Sequence, residues 1–314
     1  MVFLDDETPY LEMLAIVLPR DWCIRFYTRM DDYLAQINAQ ALQWEEDVSQ
    51  HQDIINQWYK GKQLPVLVLD YWRSQSHRYG LPSIAVVDYA MPAANGLEVL
   101  KASPPWPPHR VLLTGKADEH TAVAAFNDGL IDRYVTKQTP DLAQQLVSAL
   151  RQHYNAALDS HESIWRNILR RSQQQALHDR AVQQAVKEWL KAQHCVEYVV
   201  IPEPFGLLAL DAEGHAHWLQ FELHKDLAAA VDLAQAAGHD AQTLAAITQG
   251  QLLSDAEWCQ ALGASTAPQC APAMAWGPGG YFLAAHFPQN AMGTIGIGHR
   301  AFLADLPERG VDLD

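Results

Sequence analysis

No run of about 18 apolar residues occurs in the 314 positions, so no segment reads as a transmembrane helix. Cysteine is scarce: Cys23, Cys195, Cys259 and Cys270 are scattered, with no Cys-x-x-Cys pair. That fits reduced thiols in the cytoplasm better than disulfides or a zinc site. The opening residues, MVFLDDETPY, carry acids where a secretory signal has a basic flank. Cations are few in the last part. From Val196 onward only Lys225, Arg300 and Arg309 face fourteen acids, a net of −11 within a chain total of −15. Binding a phosphate backbone requires clustered cations, so this part is not expected to contact DNA directly. Walker loops, Gly-x-Gly-x-x-Gly, His-x-x-x-His and the common motifs for making or breaking cyclic dinucleotides are all missing. The expectation is a cytoplasmic protein without a membrane partner.

What is present supports a core. The apolar fraction is 49%, and the length suggests about two domains. Short apolar runs at Met1–Leu4, Cys23–Tyr27, Ile84–Val87, Val111–Thr114 and Arg133–Thr136 read as strands. Helical patterns separate them. Tyr10, Leu14, Val17 and Leu18 give the first an apolar face. Trp44, Val48, His51, Ile55 and Trp58 form a one-face stripe on the second, which runs from Asp31 to about Tyr59 and ends at Gly61. Pro65–Arg73 fits a further helix or a buried strand, because its period is consistent with both. Gly96–Lys101 and Glu119–Asp128 are helical, the first stopped by PPWPP at Pro104–Pro108 and the second by Gly129. Strand–helix alternation repeated five times predicts an α/β fold with a doubly wound, five-stranded parallel sheet over residues 1–150.

From Asp141 to about Gln193 the pattern is helical. Leu142, Leu146, Ala149, Ile164, Ile168, Leu177, Val182, Ala185 and Trp189 suggest an apolar seam along a connector, 151–195, which serves equally as a dimer contact or as a linker packed on its own chain. Residues 196–314 read as an antiparallel α+β domain. Strands are expected at Val196–Ile201, Gly206–Leu210, His215–Phe221, Ala273–Trp276, Tyr281–Phe287 and Gly293–Arg300. Helices are expected at Leu223–Ala237, Asp240–Thr248 and Ser254–Leu262. His215 and His217 alternate on one strand face and His224 follows, a pattern that a metal or an ordinary hairpin surface would both produce.

The chemistry gathers at strand ends. Asp5 and Asp6, Asp88, Thr114 and Lys137 terminate or follow four strands, and in a parallel sheet those ends converge on one edge. A lone strand-end Asp88 also fits a simple turn cap. Three crowded carboxylates, however, call for a cation, and a hard divalent ion such as Mg²⁺ takes oxygen ligands. An ammonium and a hydroxyl complete a set suited to a carboxylate attacking a phosphoryl group.

In order along the chain stand Asp5-Asp6, Asp88 with Met91-Pro92 and Gly96, Thr114-Gly115, and Tyr134 three before Lys137. This pattern resembles the CheY-like receiver domain of two-component response regulators. The resemblance implies phosphorylation of Asp88 by a histidine kinase or phosphotransfer protein. It implies Mg²⁺ held by Asp6, Asp88 and the Ala90 carbonyl, with Asp5 acting through water. Lys137 would pair with the phosphoryl group, Thr114 would move toward it, and Tyr134 would swing inward as the switch. Gln138 stands where the family usually has proline, and Ala90 and Lys116 occupy the two positions that tune phosphate lifetime. The excess of roughly 40 residues between Asp6 and Asp88, Trp44–Tyr79, is too long for a structureless loop and reads as an insertion at about 40–80.

Residues 196–314, in the order two strands, several helices, three strands, resemble a PAS-like domain through GLLALDAEGHAHWL at Gly206–Leu219. The reading is therefore a phosphorelay response regulator acting through protein contact or homodimerisation. The alternative is an output domain that is an enzyme or a sensor of a nucleotide or metabolite. Beyond the receiver's own phosphoryl transfer no enzyme activity is implied.

Overall fold

Val2–Leu4 is only three residues long, yet its side chains are almost completely buried, because it runs between two neighbours. The computed structural model describes residues 1–92, 94–104, 109–115, 119–138, 142–151 and 168–306. In it, β1 (Val2–Leu4), β2 (Arg25–Tyr27), β3 (Ile84–Asp88), β4 (His109–Thr114) and β5 (Arg133–Thr136) form one sheet in the order β2-β1-β3-β4-β5. Every pairing in it is parallel. The expected doubly wound α/β sheet is thus present. The order reverses between β1 and β3, which opens a crevice beyond their carboxyl ends.

Alternate side chains of the strands feed two cores. Phe3, Ile84, Val86, Val111 and Leu113 pack with Leu11, Leu14 and Leu18 of the α1 region (α1, Thr8–Val17) and with Leu146, Ala149 and Leu150. Those last three lie on helix α6, residues 142–151. Val2, Leu4, Ala85, Val87 and Leu112 pack on the other face against the start of α2 (Met30–Tyr59), α4 (Gly96–Ala102) and α5 (Glu119–Asn127). Strands buried on both faces are what a parallel sheet covered by crossover helices demands.

The chain divides into two compact units. Described residues within 1–50, 77–151 and 303–306 belong to the first, and those within 51–76 and 168–302 to the second. The segment Pro65–Arg73 resolves as helix α3 (Leu64–Ser74), with Pro65 in its first turn where no hydrogen bond is lost. Leu64, Val68, Leu69 and Trp72 form its buried stripe, and they sit in a core of the second unit.

That second unit is built on a five-stranded antiparallel sheet in the order β11-β12-β8-β7-β6: β6 (Cys195–Pro202), β7 (Phe205–Asp211), β8 (Ala216–Leu223), β11 (Met274–Trp276) and β12 (Phe282–Pro288). One face carries Leu208, Leu210, Trp218, Leu283 and Phe287. It packs against α3, Leu227 of α9 (Leu227–Ala236) and Trp258 of α11 (Ala256–Leu262). Trp218 and Trp258 stack with ring centroids 4.3 Å apart. The other face carries Leu207, Leu219, Phe221 and Phe282 and packs against α7 (Arg171–His178) and α8 (Arg180–Ala192). A further helix, α10 (Ala241–Thr248), leads to a two-stranded ribbon of β9 (Leu252–Ser254) and β10 (Cys270–Pro272).

Several expectations are corrected here. The main sheet has three strands before its helices and two after them, which differs from the order on which the PAS-like likeness rested. Gly293–Arg300 is not a strand. It makes a single bridge, Thr294 to His215, and then enters α12 (His299–Asp305). Gly293 and Gly296 both take positive φ, a conformation that interrupts an extended ladder. Ser254 ends β9 rather than starting a helix. The seam does not run as one continuous helix in the described part, since α7 ends and α8 begins around Asp179, whose carboxylate caps α8. Its apolar residues are used inside the chain: Leu146 and Ala149 in the first unit, and Val182 and Trp189 in the second. Ile164, Lys116 and residues 105–108 lie outside the described residues. Among the described residues no helix is long and apolar enough to cross a membrane.

Candidate functional site

The site is assembled from strand ends of the first unit. Asp5 directly follows β1, and its N–H donates to Tyr27 O at 3.1 Å, which carries the β1–β2 pairing one residue further. Its carboxylate is buried and accepts from the Glu7 N–H at 3.0 Å. Asp6, next along, is exposed. Asp88 is the last residue of β3, is 3% exposed, and accepts from the backbone N–H of Ala90.

The turn behind Asp88 is tightly specified. Asn95 caps α4 by accepting from the Glu98 N–H at 2.9 Å, while the Glu98 side chain accepts from the Asn95 N–H at 3.3 Å. This reciprocal pair satisfies two donors that the helix would otherwise leave open. Gly96 packs so closely that a Cβ there would lie 2.2 Å from the Asp88 carbonyl oxygen. Only glycine lets the chain return beneath the acid.

Lys137 joins the strand ends. Its backbone N–H donates to Thr114 O at 2.8 Å, just past β5. Its ammonium lies 2.7 Å from Asp5 Oδ2 and 2.9 Å from Asp88 Oδ1. Thr114, last in β4, is fully buried, and its Oγ1 has no hydrogen-bond partner among the described residues. Tyr134 is half-buried on β5 and packs with the core shared by α2, α4 and α5. Ala90, two residues after the acid, is exposed.

Burial sets the electrostatics. It pushes the Asp5 carboxyl up to about 6 against the opposing pull of Lys137. It also raises Asp88, with Lys137 and the Ala90 N–H opposing and Asp6 adding to the rise. For Lys137, burial pulls the ammonium down, but its hydrogen bonds to Asp5 and Asp88 outweigh this and the net shift is upward.

Ligand oxygens of Asp5, Asp6 and Asp88 all lie within 4.8 Å of one another. Opposite oxygens on an octahedral Mg²⁺ are about 4 Å apart, so this all-oxygen set fits a hard divalent cation. Three carboxylates against one ammonium also leave an excess negative charge that such an ion would offset.

No protein-family model matches the chain, and no curated protein matches it in sequence. Solved structures do match. The response regulator LqsR of Legionella pneumophila aligns with a TM-score of 0.72 at 22% identity, over 100% of this chain and 95% of that one. The fold is that of this response regulator. A receiver-domain protein from Clostridium thermocellum aligns over 49% of this chain and 93% of its own at 17% identity, with a TM-score of 0.31. An adenylate cyclase from Rhodopirellula baltica aligns over 60% and 95% at 19% identity, with a TM-score of 0.32. These two are too loose to carry an argument.

Within the response-regulator fold, two features escaped the sequence. Tyr10 reads there as one more apolar residue of α1, yet its ring lies under Lys137 Nζ, 4.6 Å from the centroid. In the second unit, His217 Nδ1 meets His286 Nε2 at 3.1 Å, while Asp211 Oδ2 lies 3.2 Å from His215 Nδ1 and 3.5 Å from His217 Nε2. Burial, with His217 beside it, lowers His286 to about 4. His224 is not in this group but sits in a turn beside Gly250. His286 is on β12, and no local signal links it to His217.

Proposed function

We propose that this chain is a phosphorelay response regulator whose first unit is a receiver phosphorylated on Asp88. The observation that carries this is the Lys137 ammonium bridging Asp5 and Asp88 beside a compact three-acid cluster. An Asp88 carboxylate oxygen attacks the phosphorus of a phosphohistidine on a histidine kinase or phosphotransfer protein. The O–P bond forms as the P–N bond breaks, and the imidazole leaves with a proton from solvent. Asp5, Asp6, Asp88 and the Ala90 carbonyl would hold Mg²⁺, which supplies charge neutralisation for the transferring oxygens. Lys137 pairs with the phosphoryl group, and the buried Thr114 hydroxyl turns to it. Tyr134 follows as the switch.

The second unit delivers the response by protein contact or by dimerisation. Residues 196–314 carry fourteen acids against three cations, which favours a protein surface over a phosphate backbone for that stretch. The receiver role falls to residues 1–150, a connector role to 151–195 and an output role to 196–314, with α3 lending its buried stripe to the core of the second unit. The test is to expose the full chain to Mg²⁺ and acetyl phosphate and weigh it by intact mass spectrometry. Wild type should gain one phosphoryl group, and Asp88→Asn should gain none. Equal uptake by the variant would place the acceptor elsewhere.

A further inference from the structure

The Lys137 ammonium is held on three sides. Two are the carboxylates of Asp5 and Asp88, at 2.7 and 2.9 Å. The third is the ring of Tyr10, whose centroid is 4.6 Å from Nζ. Tyr10 enters in the first turn of α1, where Pro9 occupies one of the first helical positions and sets the direction of the chain. Its side chain packs against the core that holds Leu11, Leu14 and Val135. The aromatic body is thereby fixed by packing, and the Lys137 side chain above it is only 17% exposed. The Tyr10 hydroxyl is buried and makes no hydrogen bond to the described residues, and its contact with Lys137 runs through the ring and not through the oxygen.

A lysine is a flexible stem ending in a compact charge with three donors. Two carboxylates restrain it in one direction only, toward the acids. An aromatic face attracts a cation through its quadrupole, and at a partly desolvated site the attraction is larger than in water. We propose that Tyr10 is a positioning residue: its ring seats the Lys137 ammonium at the distance from Asp88 that phosphoryl transfer requires. This rests on the reading of Asp88 as the phosphoryl acceptor. Tyr10 itself touches no reacting atom in this account.

The experiment compares full-length wild type, Tyr10→Leu and Tyr10→Phe for the rate of phosphoryl uptake from acetyl phosphate with Mg²⁺. Uptake by Tyr10→Leu should be slower by about threefold to tenfold, and phenylalanine in its place should restore most of the rate. A second readout needs no phosphorylation: the Lys137 ε-methylene protons should show an upfield ring-current shift in wild type and Tyr10→Phe that Tyr10→Leu loses. A fold defect would appear in thermal melts and would not be repaired in the Lys137 shift alone. Equal rates in wild type and Tyr10→Leu, or a Phe variant as slow as the Leu variant, would overturn the role of the ring while leaving Asp88 as acceptor. A wild type that takes up no phosphoryl group would instead remove the acceptor reading, and this proposal with it.

Discussion

The indole N–H of Trp72 donates to Glu197 Oε1 over 2.7 Å, joining residues 125 apart in the sequence. Trp72 lies on α3, inside the segment that lengthens the chain between Asp6 and Asp88, and Glu197 lies on β6 of the antiparallel sheet. Trp72 is 1% exposed within a core that also holds Trp218, Trp258 and Leu283. The inserted segment is therefore structural material of the second unit. Trp72→Ala should destabilise that unit by about 3–5 kcal/mol, the cost of removing a large buried aromatic. Urea unfolding followed by circular dichroism measures it. A fragment starting at residue 161 lacks α3 and should give no cooperative melt. A sharp transition in that fragment would show that α3 is dispensable.

Lys137→Met keeps the length and apolar stem of the side chain while deleting the charge that bridges Asp5 and Asp88. Phosphoryl uptake from acetyl phosphate should fall by about a hundredfold, the scale of losing one preorganised electrostatic partner. Uptake within twofold of wild type would leave Lys137 with a purely structural part.

Thr114 carries a buried hydroxyl with no hydrogen bond to the described residues. An unmet buried polar group costs folding free energy, and valine fills nearly the same space without it. Thr114→Val should raise stability by about 1 kcal/mol, read as a higher urea midpoint. The same variant should take up a phosphoryl group yet fail to convert it into the conformational change, seen as unchanged Tyr134 proton shifts on phosphorylation. A destabilised Thr114→Val protein would mean that the hydroxyl is satisfied in solution.

Burial, with Glu257 and Asp226 close by, pushes the Glu222 carboxyl from its ordinary 4.5 up to about 8. Below the lower value both folded and unfolded chains hold the proton. Between the two values the unfolded chain releases it first, so this group's contribution to stability declines as pH rises, and it levels off above the folded value. Glu222→Gln removes the decline. Between pH 5 and pH 8.5 the variant should lose less of its urea midpoint than wild type does. Parallel losses in both proteins would assign the slope to another group.

Much of the first unit was legible because its signals are local. Apolar runs ending in Asp5, Asp88 and Thr114 announce buried strands by composition, and Asn95 with Gly96 announces a turn into a helix. The convergence of those ends needs only the parallel topology that strand–helix alternation implies. Tyr10 was harder. Its sequence position gives an apolar helix face, and the same ring serves a core or a cation equally well. In the second unit, Gly293–Arg300 reads as a strand, but the glycines at 293 and 296 take positive φ and interrupt an extended ladder.

The sequence by itself determined which residues carry charge, hydroxyl and amine, and that the acids, Thr114 and Lys137 stand at the ends of buried strands. Tertiary structure alone decided that α3 completes the core beneath Trp218, that Val182 and Trp189 cover the opposite face of that sheet, and that His217 faces His286. The physical reason is that periodicity reports which face of an element avoids water but carries no information about what covers it. That choice depends on shape and burial summed over partners far apart along the chain.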